Sequence, residues 1–261
     1  MPKNNLVLTT QEHGVLTVTF QRPPVNAFNL QMIEELLETL KYAKREQDVR
    51  CVVMTGSGGY FCSGHDVGEI SQVTDTDSYR HHLGRTYNQL VLRMRRLEKP
   101  ILGAINGPAV GAGLGVALAT DLRWAAESAS FVFGFSAVGL TTDAGTSIML
   151  PLLIGLSRAM EMALTNQPLD AQQALQFGLV NQVLPDETFA QAVNEVALRL
   201  AKGPTRAFGL TKRAFNHAVL PALEGSLDYE AYLQEIAHRT EDHQEGLTAF
   251  LEKRPPDFQG N

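Results

Sequence analysis

The sequence predicts an α/β fold, with parallel strands joined by crossover helices and a C-terminal run of helices alone. Three observations carry this. Short apolar runs at residues 50–55 and 100–105 have the length and composition of buried parallel strands. Segments with helical spacing lie between and after them. From Gly203 onward the helical pattern continues with no strand in it.

Residues 14–20, GVLTVTF, alternate apolar and polar and read as a half-buried strand. QRPPVN then ends it, because two prolines forbid both ladder donation and helix. From Asn29 the period changes. Ile33, Leu36, Leu37 and Leu40 recur on one helical face, while Glu34, Glu35, Glu38 and Lys41 fall outside it. RCVVMT is the next strand, GSGGYFCSGHD is a glycine-rich loop, and a helical stretch without clear ends follows. After the strand at 100–105, GPAVGAGLGVALAT is read as turn and helix. Short strands are expected in LRWAA and SFVFG, then a loop carrying Asp143 and a helix over 147–153. SRAMEMALT and DAQQALQF give two more helices, 179–184 a last strand, and GPTRAFGLTKRAFNHAV the start of the helical tail. The expected organisation is a core over residues 1–202 and a C-terminal helical region over 203–261, with no linker or repeat.

The 261 residues are 44% hydrophobic, which excludes wholesale disorder. A net charge of −6 and a pI near 5.7 give the chain no general attraction to nucleic acid or anionic lipid. Two cysteines, Cys51 and Cys62, make neither a disulfide framework nor a metal set, and are expected to be reduced in a cytosolic interior. The apolar stretch near the start is too short for a signal peptide. Residues 100–120 are uncharged and long enough for a membrane span, yet they hold Asn106, Pro108 and five glycines. Such content indicates a buried loop and helix. The expectation is a soluble, cytoplasmic protein with no membrane partner.

Two glycine-bearing segments stand out: FCSGHD at 61–66 and NGPAVGAGLG at 106–115. Glycine lets backbone amides approach a ligand closely. In the second segment they open an apolar helix, where N–H groups lack intrahelical acceptors. Two such amides converging on a carbonyl oxygen make an oxyanion hole, although tight helix packing around small residues explains the same pattern. The spacing is not a dinucleotide fingerprint, since no acidic residue is placed to hold a ribose.

Together RPPVNAF, FCSGHDVGEI, AINGPAVGAGLGVALATDL, VGLTTDAGTSIMLPLLIG and FGLVNQVLP resemble the enoyl-CoA hydratase/isomerase family, the crotonase superfamily. The resemblance runs from about Thr17 to the C-terminus. It implies a crotonase-like spiral of ββα units, with the C-terminal helices forming a trimer and two trimers often forming a hexamer. It implies an acyl-CoA thioester substrate, with coenzyme A part of that substrate and no further cofactor or metal. By motif position the thioester carbonyl would lie between the backbone amides of His65 and Ala112. Substrate contacts are implied along Val25, Ala27, Ser63, Asp66, Val67, Gly111, Phe135, Val138 and Thr142. Phe250 and Lys253 are expected near a neighbouring subunit's coenzyme A, and residues 71–92 around the acyl group.

A backbone donor works through position, so the His65 side chain is expected to pack and not to shuttle protons. Asp66, with Glu69 three residues on, matches a helix capping box. Some relatives bind RNA through a lysine-rich helix. The corresponding helix here sets Glu34, Glu35 and Glu38 against Lys41, Lys44 and Arg45, so no basic stripe forms and no nucleic-acid partner is expected.

Hydratases of this family use two glutamates, and the matching positions here are Gly115 and Phe135. Without ionisable groups there, simple hydration loses its acid and base. One carboxylate remains at a matching place, Asp143 in GLTTDAGTS, which resembles the aspartate of the isomerase branch. Phe135, Val138 and Leu140 are expected to raise its pKa by excluding water. Asp143 also suits a helix N-cap. The same position is the nucleophile in the 4-chlorobenzoyl-CoA dehalogenases, which resemble this chain around GLTTDAGTS and MEMALTN. Those enzymes also need a tryptophan where Phe135 stands and a histidine base near Asn88. His81 and His82 lie one to two turns earlier, and the lone tryptophan, Trp124, is in another strand. The resemblance therefore implies an enoyl-CoA isomerase working through an enolate, in fatty acid or aromatic acyl-CoA metabolism. Hydration, dehalogenase-like hydrolysis and acyl-CoA binding without chemistry are the alternatives.

Overall fold

The computed structural model describes residues 5–70 and 78–261. In chain order, β1 spans Val7–Glu12, β2 Val15–Phe20, α1 Leu30–Arg45, β3 Cys51–Gly56 and α2 Val67–Ile70. Then come α3 Tyr79–Arg85, α4 Tyr87–Arg96, β4 Ile101–Ile105, β5 Ala109–Val110, α5 Ala112–Leu118, β6 Leu122–Ala126 and β7 Ser130–Val132. A 3-10 turn at Ser136–Val138 precedes α6 Thr146–Ile154, α7 Leu156–Thr165, β8 Leu169–Asp170, α8 Ala171–Phe177 and β9 Gln182–Leu184. The chain closes with α9 Asp186–Lys202, α10 Thr205–Val219, α11 Leu223–His238 and α12 Glu241–Glu252.

The main sheet runs in the order β1-β2-β3-β4-β6-β9, antiparallel at the first pair and parallel thereafter. The apolar runs at 50–55 and 100–105 lie at its centre, buried on both faces, as their composition requires. A smaller sheet pairs β5 with β7 in parallel and β7 with β8 antiparallel. One hydrophobic core lies under α1, α4, α5 and α6, and a second lies between the opposite sheet face and α9. Residues 100–120 fill the middle of the molecule, and no helix among the described residues is long and apolar enough to cross a membrane.

Helix α1 begins where the spacing places it. Asn29 accepts the Met32 N–H at 2.9 Å, and Ile33, Leu36 and Leu40 are buried with Met32 and Ala43. The helical stretch without clear ends is two helices, α3 and α4, broken at Thr86, whose ψ of −96° cannot continue either. Five elements depart from the sequence reading, two of them the two-residue strands β5 and β8, which lie where turn and helix were expected. β1 was not expected, because its side chains are mostly exposed and carry no alternation. It is held by the turn at His13 and Gly14, both with positive φ, and by Glu35, which accepts the Leu6 and Val7 N–H groups at 2.8 Å each. The expected strand over 179–184 shortens to β9, since Leu179 and Val180 bond back to Ala174 and finish α8. α9 was also missed. Its Phe189, Val193, Val196, Ala197 and Ala201 are the lid on the second core.

The C-terminal helices are tied to the sheet by charge as well as packing. Asp121, at the start of β6, accepts from Lys212 of α10 at 2.8 Å, from Arg95 of α4 at 3.0 Å and from the Ile101 N–H at 2.8 Å. Lys212 is buried, and burial pulls its amine down to about 8. Removing the carboxylate leaves that ammonium without its counter-ion. Asp121→Ala is expected to lower the unfolding free energy by about 3 kcal/mol, read from urea denaturation.

Candidate active site

Two buried or half-buried asparagines bring three loops together. Asn26, fully buried with φ 53°, donates to the carbonyls of Ser57 and Tyr60 at 2.9 and 2.8 Å, and its oxygen accepts from the Arg22 N–H and the Ser57 hydroxyl. Asn106 accepts from the Thr55 hydroxyl and Gly56 N–H and donates to the Gly58 carbonyl. So anchored, the segment from Ser63 to Asp66 lies alongside Val25 to Phe28. Ser63 donates to Val25, Phe28 to Gly64, and Asp66 to Phe28, at 3.0, 2.7 and 2.8 Å. One residue earlier, Cys62 is bridged to Ala109: its N–H donates to Pro108, and its carbonyl accepts from Val110.

This pairing sets the second glycine segment directly against the first. A Cβ on Gly64, whose φ is 97°, would lie 3.0 Å from the Val110 carbonyl oxygen and 3.7 Å from the Ala112 nitrogen. One on Gly113 would lie 2.5 Å from the Cys62 carbonyl oxygen. Glycine is therefore required at both places for the backbones to approach. The His65 and Ala112 amides end up on neighbouring segments, Ala112 at the first position of α5. Among the described residues, neither amide donates to another part of the chain. Phe135 closes one side. Its ring would be 3.9 Å from a Cβ on Gly111 and meets Phe133 edge to face at 5.0 Å.

Asp143 is buried at 4% exposure in the loop before α6. Its Oδ2 accepts from Gln234 of α11 at 3.1 Å, and the Gln234 oxygen accepts from the Thr141 N–H, which fixes the orientation of that amide. Asp143 Oδ1, Thr142 Oγ1 and Thr146 Oγ1 have no partner among the described residues. Burial, reinforced by the charge of Glu230 and opposed by the Gln234 hydrogen bond, pushes the Asp143 carboxyl up to about 8. The upward direction was expected from apolar neighbours. Glu230 was not, since it is distant in sequence and sits in a helix that reads as a surface tail. The helix-cap reading of Asp143 is corrected here. Its side chain bonds no helix N–H; only its carbonyl takes the Thr146 N–H, while Glu230 binds the N–H groups of Gly145 and Ser147 at 2.8 Å each.

Around this loop lies a chain of aromatic and imidazole rings. His65 Nδ1 is 2.6 Å from the Tyr87 hydroxyl, and its ring meets His82 edge-on at 5.4 Å. Tyr79 stacks on His238 at 4.8 Å, and His243 Nδ1 donates to the Val138 carbonyl at 2.7 Å. Burial pulls His65 down to about 3, so its imidazole stays neutral and packs, as expected for a residue whose amide holds the interesting position. Burial also raises the Tyr79 and Tyr87 hydroxyls, with the Asp143 charge adding to the effect, which places both near that carboxylate. Cys51 and Cys62 are free and buried, their thiols pushed up to about 12, so they are poor nucleophiles.

Other expected positions divide. Val25, Ala27, Ser63, Asp66 and Gly111 join the paired loops, Val67 opens α2, and Thr142 adjoins Asp143. Val138 turns its backbone towards α12, where it approaches Gly246. The capping box at Asp66 is half formed: its carboxylate takes the Gly68 N–H of α2 as a cap and pairs with Arg22, but the reciprocal half is absent, since Glu69 takes the Leu30 N–H and the Asp66 amide goes to Phe28. Phe250 and Lys253 are exposed on and just after α12. Asn88 is buried and donates to the Leu227 carbonyl, and Trp124 lies in β6. Of the expected pocket segment, residues 71–77 lie outside the described residues.

Residues 10–261 match the family described as Enoyl-CoA hydratase/isomerase. The chain is 41% identical to the 1,2-epoxyphenylacetyl-CoA isomerase of Escherichia coli K12, over 97% of this chain and 98% of that one. It is 38% identical to 4-chlorobenzoyl coenzyme A dehalogenase-2 of an Arthrobacter species, over 83% and 80%. Its fold superposes on the crystal structure of an enoyl-CoA hydratase from Mycobacterium avium subsp. paratuberculosis with a TM-score of 0.88, at 34% identity and covering 97% and 98% of the two chains. That agreement establishes the crotonase-type α/β fold expected from the motifs.

The hydratase positions can be tested physically. A Cβ on Gly115 would lie 2.5 Å from that of Ala144 and 3.1 Å from its carbonyl oxygen, with Ala144 buried and held at φ 53°. Gly115→Glu is expected to lower stability by about 1–3 kcal/mol without conferring hydration of a 2-enoyl-CoA thioester. Urea unfolding and loss of enoyl absorbance would measure the two effects.

Proposed function

The chain belongs to the enoyl-CoA hydratase/isomerase family, and within it we propose an enoyl-CoA isomerase that moves a double bond through a thioester enolate. The observation that carries this reading is Asp143: a buried carboxyl, raised towards neutrality, with one oxygen held by Gln234 and the other free. Gly115 and Phe135 stand where a hydratase would need its acid and base. What remains suits the transfer of one proton between two carbons.

In this reading the thioester oxygen of a 3-enoyl-CoA lies between the His65 and Ala112 amides. Asp143 removes a C2 proton, and the electrons of that bond pass through C1 to the oxygen, giving an enolate held by two N–H donors. Removing one donor of this kind costs about 2.7–4 kcal/mol of transition-state stabilisation in other enzymes. The enolate then re-forms its carbonyl, C2 and C3 become doubly bonded, the former C3–C4 double bond opens, and Asp143 returns its proton to C4. No atom is gained or lost, so no cofactor or water is consumed.

A dehalogenase would use Asp143 as a nucleophile, yet the position expected for its histidine base is Asn88, already committed to the Leu227 carbonyl. The kinetics of Asp143 separate the readings. Only its ionised form can take a proton, so kcat/KM should rise with pH and level off above about 8. Asp143→Asn should lower isomerisation of a 3-enoyl-CoA by about 10²-fold or more while the thioester still binds. Native protein in deuterated water should place deuterium at C2 or C4 without hydration. A variant that isomerises at the native rate, or release of chloride from 4-chlorobenzoyl-CoA by a protein inert to enoyl thioesters, would overturn the reading.

The C-terminal region, residues 203–261, is proposed to build a trimer or a dimer of trimers, with Phe250 and Lys253 towards a neighbour's coenzyme A. Support comes from apolar side chains left exposed on these helices, among them Phe215, Ile236, Phe250 and Leu251. Sedimentation equilibrium at micromolar concentration should give three or six times the chain mass, and a monomer would contradict the assembly.

A further inference from the structure

We propose that Glu230 is a positioning residue for Asp143: from α11 it fixes the start of α6 and sets a negative charge beside the reacting carboxyl. The inference rests on the reading of Asp143 as the proton carrier and deepens it.

The start of α6 cannot cap itself. Its N-cap is Gly145, with φ 77°, and a Cβ there would lie 2.8 Å from the Met149 side chain. Glycine offers no side-chain oxygen to cap the helix, and the left-handed backbone there strains the serine or threonine that usually would. The cap comes instead from a residue 85 positions away. Glu230, 2% exposed, takes the Gly145 N–H on one oxygen and the Ser147 N–H on the other, both at 2.8 Å. Asp143 ends the loop leading into that helix, so its backbone is held by the same clamp. Four residues along α11, Gln234 holds the Asp143 carboxylate itself. One face of one helix therefore sets both the position and the surroundings of the proposed base.

The two buried acids are not equivalent. Burial raises the Glu230 carboxyl above its ordinary value, and the backbone N–H bonds it receives at the positive end of α6 oppose that rise. Asp143 receives one neutral amide. With two backbone donors against one neutral amide, Glu230 is the acid proposed to carry the charge while Asp143 holds the last proton. Among the described residues on other elements, the Asp143 charge acts on the hydroxyls of Tyr79 in α3 and Tyr87 in α4, while His243 of α12 donates to the Val138 carbonyl. Among the described residues, no cation contributes to the Asp143 shift, and burial lowers His65, His82 and His243 below the ordinary imidazole value. The charge on Glu230 is thus not cancelled locally, and it makes the Asp143 carboxylate a stronger base.

The test compares pH profiles of kcat/KM for a 3-enoyl-CoA thioester in wild-type protein, Glu230→Gln, Glu230→Asp and Asp143→Asn. Glu230→Gln keeps the shape and removes the charge. Its acid limb should move to lower pH by about one unit or more, with a lower plateau from the weaker base. Glu230→Asp keeps the charge and should leave the limb near its native place even if it is slower. A Glu230→Gln profile reduced at every pH with its limb unmoved would make Glu230 a helix cap only, leaving the Asp143 reading intact. Native activity in Asp143→Asn would instead remove the underlying reading. Should Glu230→Gln not fold, infrared titration of the wild-type protein decides. With isotope-labelled glutamate, and the Asp143 band identified by its loss in Asp143→Asn, Glu230 must ionise before Asp143. The reverse order overturns the proposal.

Discussion

The site depends on two backbones lying closer together than any side chain allows. Cys62 to His65 and Val110 to Gly113 run against each other so tightly that a single carbon on Gly64 or Gly113 would strike the opposite chain. Hydrogen bonds from Cys62 to Pro108 and from Val110 to Cys62 lock that approach, and Asn26 and Asn106 brace the loops on either side. Because the contact is made by backbone, the donors it presents are backbone too. A side chain can swing out of place, whereas an amide at the junction of a bridge and a helix is fixed by the fold. The position of any group bound between His65 and Ala112 is therefore inherited from the sheet and α5.

The proposed base is positioned in another way. Asp143 gains nothing from the sheet; its surroundings come from α11, with Glu230 and Gln234 reaching back across 85 and 91 residues. In the proposed reading, the helices after Gly203 are consequently part of the site chemistry as well as its outer layer. Their attachment has to be rigid for that reason, and the buried contact of Lys212 and Arg95 with Asp121 provides it between α10, α4 and β6. A shift of α11 of even one ångström would release the Asp143 carboxylate and the start of α6 together.

What was legible in the sequence follows from how local each cause is. β3, β4 and the inner face of α1 are written in consecutive residues, because burial on two faces or one stripe leaves a period in the chain. The glycine loops were legible as loops, and through their resemblance to a family as a site, since the requirement for no side chain is itself a local mark. β1 was not, because an exposed edge strand has no apolar face to show and is held by Glu35 from a distant helix. Asp143 was picked out by its motif, but the causes of its raised pKa were only half visible. Apolar neighbours lie within a few residues; Glu230 lies in a helix whose pattern, taken alone, is that of an ordinary surface element with a buried seam. Asp66 and Asp143 both looked like helix caps for the same reason. Capping is the commonest local use of aspartate; Asp66 does take the Gly68 N–H of α2 while pairing with Arg22, and Asp143 is taken by Gln234 instead.

Among the described residues, no cation contributes to the raised Asp143 carboxyl. A lysine or an arginine beside it would hold its carboxylate ionised at every working pH and weaken it as a base. Here burial and the Glu230 charge act in one direction, and the Gln234 hydrogen bond opposes them. An ionised Asp143 is thus a high-energy state of the free protein, and taking a proton from carbon relieves it. The enolate formed in exchange needs its own stabilisation, and in the proposed pose that comes from the two amides on the other side of the acyl group. Electrostatic work is divided between the halves of the site: the helical face raises the affinity of the base for a proton, and the glycine face lowers the cost of the negative charge left behind. Each half is effective only with the other, because a strong base without an oxyanion partner meets too weak a carbon acid, and amides without a base have no proton removed.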